Sequence, residues 1–225
     1  QMVVFGNTTA SARAWYKTVT VVPGSSYHFS AWVARVNNTD PNIALRVNNV
    51  EINSANLSTV AIGNWIQVSA TYVVPAGTTS ITISIGDKNA ATGANNYTID
   101  DICFRLLGSI GDIVFNDANK DGIKNNGEVG IAGVSVSLLD ANGKIISSTV
   151  TDALGAYLFN GLNTSVTGVA YSVDFGLPAG YQFTTKGTLT TDNNSDADLI
   201  TGKTGTITLT SAAPNVRSEE RRVGK

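Results

Sequence analysis

The segment DANKDGIKNNGE, residues 117–128, sets oxygen-bearing side chains at alternate positions and ends on a glutamate. Calcium takes roughly six to eight oxygen ligands, and the twelve-residue calcium loop supplies them from positions 1, 3, 5, 7, 9 and 12, with glycine at position 6. The sixth residue here is Gly122. The six ligand positions are occupied by Asp117, Asn119, Asp121, Ile123 (through its backbone carbonyl), Asn125 and Glu128. The spacing therefore predicts a calcium site in this loop.

The elements that hold this loop are predicted to be strands. Apolar and polar residues alternate in SYHFSAWVARV and WIQVSATYVV before the loop and in GVSVSLLD after it, and turn sequences such as PAGTTS and ANGK separate these runs. A period of two over short runs is typical of antiparallel β-sandwiches. In a calcium sensor the loop joins two helices that reorient on binding. Calcium bound in a loop between strands is expected to stiffen the fold without exposing a new surface.

Composition narrows the functional classes. The 225 residues suffice for two domains, 14% are charged, and the formal net charge is -2. The sequence contains no patch of Lys and Arg with interleaved aromatics, the pattern that would predict nucleic-acid binding. No apolar run approaches the roughly 20 residues of a membrane span. The single Cys103 excludes an intramolecular disulfide, and the single His28 leaves no Ser/His/Asp or Cys/His set.

A glycosidase would need paired carboxylates. Asp100 and Asp101 are neighbours on a predicted strand, so their side chains are expected to face opposite sides. The other acidic residues concentrate in the calcium-like loops. The chain is therefore predicted not to be an enzyme.

The alternating pattern is interrupted at LLGSIGD and then resumes as a second series, which predicts one domain over residues 1–108 and another over 109–216. The first domain is expected to lack its first strands, as if the chain were cut from a longer one. Residues 217–225, RSEERRVGK, are dense in charge. They resemble the translation of a common short-read sequencing adapter, and we expect them to be an assembly artefact without function.

The second domain carries a specific set of motifs: GSIGDIVF, the acidic loop, GVSVSLLD, TDALGAYLF and LPAGY, in that order. In these it resembles the B-type repeat of the serine-aspartate repeat (Sdr) surface adhesins, a Cna-B-like, immunoglobulin-like β-sandwich. The resemblance implies calcium as the cofactor and a stalk module that holds a ligand-binding region away from a bacterial cell wall. It also implies secretion to the cell surface.

The resemblance implies further ions at other acidic loop residues. Candidates for a second calcium are Asp112, Asp152, Asp196 and Asp198. The alternative is that these residues only cap or turn loops, as Asp commonly does.

The first domain resembles, more loosely, the jelly rolls of carbohydrate-binding modules, in VTVVPGSSYHFSAWV, GNWIQVSATYVVPAG and NNYTIDDICF. That resemblance implies a structural calcium near the last strand, with Asp101 as a candidate ligand. Trp32 and Trp15 are candidates for a platform on which sugar rings stack. The alternative is that both belong to the core, and Trp65 is expected to be a buried anchor at the start of a strand.

Two functions remain from these observations. The first is a non-catalytic fragment of a secreted bacterial cell-surface adhesin-like protein, with calcium ions and glycans or other surface ligands as partners. The alternative is a carbohydrate-binding accessory module of an extracellular polysaccharide-degrading enzyme.

Overall fold

A computed structural model describes residues 1–5, 12–89, 95–125, 127–184, 196–216 and 220–224. The chain divides into two compact units, Gln1–Leu106 and Leu107–Lys225. Every regular element in these described ranges is a β-strand, which confirms the predicted all-β class. Within the same ranges, no helix is long and apolar enough to cross a membrane.

The first unit consists of two sheets around one core. Its strands are β1 (Met2–Val4), β2 (Trp15–Thr20), β3 (Ser26–Arg35), β4 (Asn42–Val47), β5 (Val50–Asn56), β6 (Ile66–Val73), β7 (Ser80–Asp87) and β8 (Tyr97–Asn116). One sheet joins β1, β3, β6 and the first half of β8, and the other has the order β2-β7-β4-β5.

Alternation along the strands builds this core. In β3, Phe29, Ala31 and Val33 are fully buried while Trp32 between them is exposed, because successive side chains point to opposite faces. Ile43 and Ile85 of the other sheet join the same apolar cluster. The predicted sandwich is therefore present in the first unit.

The second unit also has two layers. Its further strands are β9 (Ser135–Asp140), β10 (Ile145–Val150), β11 (Ala156–Asn163), β12 (Val169–Phe175), β13 (Tyr181–Phe183), β14 (Ile207–Leu209), β15 (Asn215–Val216) and β16 (Glu220–Gly224). The second half of β8 pairs with β11, β15 and β16, while the other sheet has the order β10-β9-β12-β14. The pairings of β15 and β16 with β8 are parallel, unlike the antiparallel pairings expected.

The core of the second unit also comes from alternation. Val136 and Leu138 of β9 pack with Val173 and Phe175 of β12 and with Phe159 of β11. The turn ANGK joins β9 to β10 as a hairpin. There Asp140 Oδ1 accepts hydrogen bonds from the backbone N–H groups of Asn142 (2.9 Å) and Lys144 (3.0 Å).

The segment predicted to be an artefact contributes backbone to this unit. Residues Glu220–Gly224 form β16, which pairs with the end of β8 and with β13. Residues 217–219 and 225 lie outside the described part of the chain. The origin of the segment stays a prediction.

Two glycines in turns of the second unit offer a matched test of the packing. Gly155 and Gly143 both have left-handed backbone, with φ of 79° and 78°. A Cβ on Gly155 would meet the carbonyl oxygen of Val114 and lie 2.7 Å from the Cα of Gly130, whereas a Cβ on Gly143 would have no heavy atom within 4 Å.

Gly143→Ala is expected to lower the free energy of unfolding by about 1–2 kcal/mol, the cost of left-handed backbone with a Cβ. Gly155→Ala adds a backbone clash and is expected to cost about 3 kcal/mol or more. Urea unfolding followed by far-UV circular dichroism measures both. Equal losses in the two variants would contradict the packing around Gly155.

Candidate metal centre and aromatic face

The acidic loop begins directly after β8, with Asp117 as its first residue. This carboxylate is fully buried, at 0% exposure. Its Oδ2 accepts hydrogen bonds from the backbone N–H of Gly122 (3.0 Å) and from the hydroxyl of Thr184 (2.9 Å). Thr184 follows β13, so Asp117 connects its own loop to a distant part of the second unit.

The other oxygen of this carboxylate is also buried. Within the described ranges, Asp117 Oδ1 has no hydrogen-bond partner. Burying a charged oxygen without a donor costs free energy, since the oxygen has lost the water it bonded in the unfolded chain. A cation placed against Oδ1 would remove that cost.

Asp121, at the fifth position, gathers amide groups around its carboxylate. Its Oδ2 accepts from Nδ2 of Asn119 (2.8 Å) and of Asn125 (2.7 Å), and its Oδ1 accepts from the backbone N–H of Ile123 (2.7 Å). The nitrogen and oxygen of an amide exchange places by a half turn of the group. The same two asparagines could therefore present oxygens to a cation instead of N–H groups to Asp121.

Glu128 closes the loop at its twelfth position. Its Oε1 accepts from the backbone N–H of Ala118 (3.0 Å) and its Oε2 from that of Asn125 (2.8 Å). The sharp bend lies at Gly122, whose φ is 74°, as the spacing predicts. The backbone thus follows the path of a calcium-binding loop, although each of its three carboxylates accepts hydrogen bonds from N–H groups in this structure.

A metal site made only of strong side-chain ligands is not formed. In the described ranges, no three His, Cys, Asp or Glu side chains are grouped so that they could hold a metal ion. The ligand set predicted for the loop differs from such a group, because half of it consists of two amides and one backbone carbonyl. Calcium in this loop stays a prediction.

Two of the candidates for a second calcium lie at turns. Asp152 Oδ1 accepts from the backbone N–H groups of Leu154 and Ala156, both at 2.8 Å. Asp198 Oδ1 accepts from the backbone N–H (2.9 Å) and the hydroxyl (2.9 Å) of Thr201.

The other two candidates occupy different places. Asp112 is on β8, opposite Tyr157 of β11, and Asp196 lies beside Ala197, which forms a bridge to Thr204. The structure does not group three of the four candidates around one point of the described chain.

Asp101, the candidate ligand of the first unit, lies at an irregularity of β8. The pairing with β3 shifts register between Ser30 and Trp32, and Asp101 has a φ of 46°. Its side chain is exposed, and its backbone N–H bonds to Oδ1 of Asp100 at 2.9 Å. The prediction that the side chains of Asp100 and Asp101 follow the simple alternation of a regular strand is therefore wrong, because a β-bulge adds a residue on one strand.

The two tryptophans proposed as a platform occupy different sheets. Trp32 is on β3 and 38% exposed, on the outward side of the sheet. Trp15 is on β2 of the other sheet and packs against the core. The structure does not bring them together.

A different tryptophan shares the face of Trp32. Trp65 precedes Ile66, which packs against the core, and its own side chain is 37% exposed. The expectation that Trp65 is buried is therefore wrong. The sequence signal was present in the alternation of NWIQVSA, where Trp65 and Gln67 fall on the face opposite to Ile66 and Val68.

Polar side chains flank these rings. Trp32 lies opposite Gln67 of β6 and Asp100 of β8 in the strand register. Further along the same face, His28 lies opposite Arg105. Burial and the nearby Arg105 guanidinium lower the pKa of His28, which favours the neutral imidazole. We call the surface of Trp32, Trp65, Gln67 and Asp100 the aromatic face.

Comparison with known proteins assigns a family to the second unit. Residues 108–220, half of the chain, match the family model of the SdrD B-like domain. Over 127 residues the chain is 40% identical to the serine-aspartate repeat-containing protein F of Staphylococcus epidermidis, covering 56% of this chain and 7% of that protein. Over 94 residues it is 44% identical to the bone sialoprotein-binding protein of Staphylococcus aureus, covering 42% of this chain and 8% of that protein.

The chain thus spans less than a tenth of the length of these two relatives. Among solved structures, a sugar-binding protein, the C-terminal domain of EclA, aligns with a TM-score of 0.39 and 17% identity, over 46% of this chain and 77% of that one. A likeness this distant carries no argument about function.

Proposed function

The chain belongs to the SdrD B-like domain family through residues 108–220, and from that premise we propose that it is a non-catalytic piece of a bacterial cell-surface, adhesin-like protein. The second unit acts in it as a spacer that calcium stabilises. The observation that carries this proposal is the buried Oδ1 of Asp117, to which no described residue donates a hydrogen bond, at the first position of a fully spaced calcium loop.

Charge supports the choice of a divalent cation. Asp117, Asp121 and Glu128 bring three negative charges to one short loop. Donors to these carboxylates include the backbone N–H groups of Ala118 and Gly122, the Asn119 amide and the Thr184 hydroxyl, and all of these groups are uncharged. Oxygen ligands of this kind suit calcium rather than zinc or copper, which prefer nitrogen and sulfur.

Calcium would act here as a clamp within the unit. Asp117 directly follows β8 and accepts a hydrogen bond from Thr184, which follows β13. An ion that fixes the carboxylate of Asp117 would therefore also stabilise the contact between these two segments. A ligand that binds only the folded chain at about 100 times its Kd adds about 2.7 kcal/mol of stability. Strands flank the loop, so the ion stiffens the unit without reorienting helices.

Calcium is expected to raise the melting temperature of the second unit, relative to EDTA, by roughly 10 °C at saturating concentration. All three tryptophans lie in the first unit, so their fluorescence reports the first unit, whereas circular dichroism reports both. The shift should appear in the circular dichroism transition and not in the tryptophan transition. A tryptophan shift alone would instead favour a calcium site near Asp101.

Asp117→Asn keeps the shape of the side chain and removes its charge, and it should abolish the calcium-dependent shift. Asp140→Asn is the matched control, because Asp140 lies outside the acidic loop and accepts hydrogen bonds from two backbone N–H groups in the turn between β9 and β10. It should retain the full shift. An unchanged melting temperature of the unmodified chain in EDTA and in calcium would refute the clamp.

The aromatic face favours a second activity for the first unit, the binding of sugars. Two partly exposed indole rings provide apolar surface for a pyranose ring, while Gln67 and Asp100 offer hydrogen-bonding groups beside them. Sugar binding fits both an adhesin and the accessory module of a polysaccharide-degrading enzyme.

Trp32→Ala and Trp65→Ala are each expected to weaken binding to an immobilised polysaccharide at least about 10-fold, since loss of a stacked ring removes 1–2 kcal/mol or more. Tyr16→Ala is the control, because Tyr16 is 61% exposed on β2 of the other sheet. Affinity electrophoresis across a polysaccharide panel measures the effect. Absence of retardation by any polysaccharide would remove this activity.

A further inference from the structure

The strand β10 forms one edge of the sheet β10-β9-β12-β14 in the second unit. In the described part of the chain it pairs with β9 alone, so no described strand lies along its other side. An edge strand presents a row of backbone N–H and C=O groups that can pair with a further strand. The open side of β10 is therefore a candidate interaction surface.

The hydrogen bonds at the end of β10 show which of its backbone groups face away from β9. Thr151, the residue after the strand, donates its N–H to the carbonyl oxygen of Val134 (3.0 Å), and its own carbonyl oxygen accepts from the N–H of Gly133 (3.0 Å). Successive residues of an antiparallel strand alternate between bonding to the neighbouring strand and facing away from it. The N–H and C=O groups of Ser148 and Val150 therefore point to the open side.

Little in β10 itself prevents such pairing. Short length, charged side chains and bulges commonly keep an edge strand from pairing with other chains. The edge strands β2 and β5 of the first unit each carry a charge, Lys17 and Glu51, and β14, at the opposite edge of the same sheet as β10, has three residues. By contrast, β10 has six residues, IISSTV, and none of them is charged. Its irregularity lies between Ile145 and Ser147, which leaves the stretch Ser147–Val150 regular.

Exposed apolar side chains accompany this edge. Ile145, Ile146 and Val150 of β10 and Leu158 of β11 are between 47% and 61% exposed. Ile146 and Leu158 also line a groove of about 290 Å³, together with the buried Leu138 of β9. Removal of apolar surface from water is the main favourable contribution to most protein association. A strand added along β10 would therefore gain apolar contacts as well as backbone hydrogen bonds.

The charges at the two ends of β10 are opposite in sign. Lys144 directly precedes the strand and Asp152 follows it by two residues, and both side chains are exposed. Neither belongs to an ion pair of the described residues. A contact between two identical surfaces must be self-complementary. When two copies of β10 run antiparallel with Ser148 opposite Ser148, Lys144 of each copy is opposite Asp152 of the other, and Ile146 is opposite Val150.

We propose that the β10 edge is the contact surface of a homodimer, in which β10 of two copies of this chain pair antiparallel about a two-fold axis at Ser148. The N–H and C=O groups of Ser148 bond to those of the second copy, and the two sheets become one continuous sheet. The match of Lys144 with Asp152 under this symmetry favours a second copy over a partner of unrelated sequence. The surface is separate from the residues of the acidic loop and from the aromatic face.

Sedimentation velocity of the full chain, over a concentration series that brackets the expected Kd, tests the dimer. The sedimentation coefficient is expected to rise from that of a monomer to that of a dimer with a Kd of about 10–100 µM, because a contact one strand wide lies at the lower end of interface sizes. A chain that stays monomeric at concentrations well above this Kd overturns the proposal and leaves the edge to a partner of another sequence.

Ser148→Lys places two lysines opposite each other at the two-fold axis and is expected to weaken the dimer about 5-fold or more, because like charges directly opposite in a sheet repel. Thr18→Lys is the matched control and should dimerise like the unmodified chain. Thr18 is also exposed on an edge strand, β2, and its Oγ1 lies 3.0 Å from Oγ1 of Thr82, as Ser148 Oγ lies 3.1 Å from Ser137 Oγ. A dimer that Ser148→Lys leaves unchanged, or that both variants weaken equally, overturns the proposal.

Lys144→Glu tests the register with a change outside the strand, in case Ser148→Lys disturbs folding, which circular dichroism would show. It sets two carboxylates against each other at both ends of the contact and should weaken the dimer about 3-fold or more. Lys17→Glu makes the same change of charge on β2 and should leave the dimer intact. An undiminished dimer in Lys144→Glu would contradict pairing about Ser148.

Discussion

The hydrogen-bond ladder of β8 is the interaction on which the rest of this fold depends. Over twenty residues this strand pairs with β1 and β3 in the first unit and with β11, β15 and β16 in the second. It places Asp100 beside Trp32, and it ends immediately before Asp117. At Asp101, whose φ is 46°, a bulge shifts the register of the ladder between β8 and β3.

Satisfaction of buried polar atoms explains where ligands are proposed. Most buried polar atoms in proteins are hydrogen-bonded, so a buried polar atom without a partner requires a physical explanation. Among the described residues, Asp117 Oδ1 is a buried oxygen without a hydrogen-bond partner. It fits a cation, because a cation supplies the positive charge that its described surroundings lack.

Aspartates of similar appearance in the sequence have different surroundings. Asp117 is buried and fixes a contact across its unit, whereas Asp152 and Asp198 turn the backbone on the surface by accepting nearby N–H groups. An aspartate that only caps a turn has no need of an ion, because backbone donors already satisfy it. Burial, rather than the number of acidic residues in a loop, distinguishes the two cases.

The sequence by itself determined the all-β class, the strand runs and the spacing of the calcium-like loop, because alternation and turn residues are local properties of the chain. The family of the second unit could also be predicted from motifs such as TDALGAYLF. The tertiary structure alone decided which side chains share a face. Trp32 lies with Trp65 and not with Trp15, since that depends on which strands pair and on which side of each sheet the core forms. The buried hydrogen bond between Thr184 and Asp117 likewise joins residues 67 positions apart, a separation that no local pattern records.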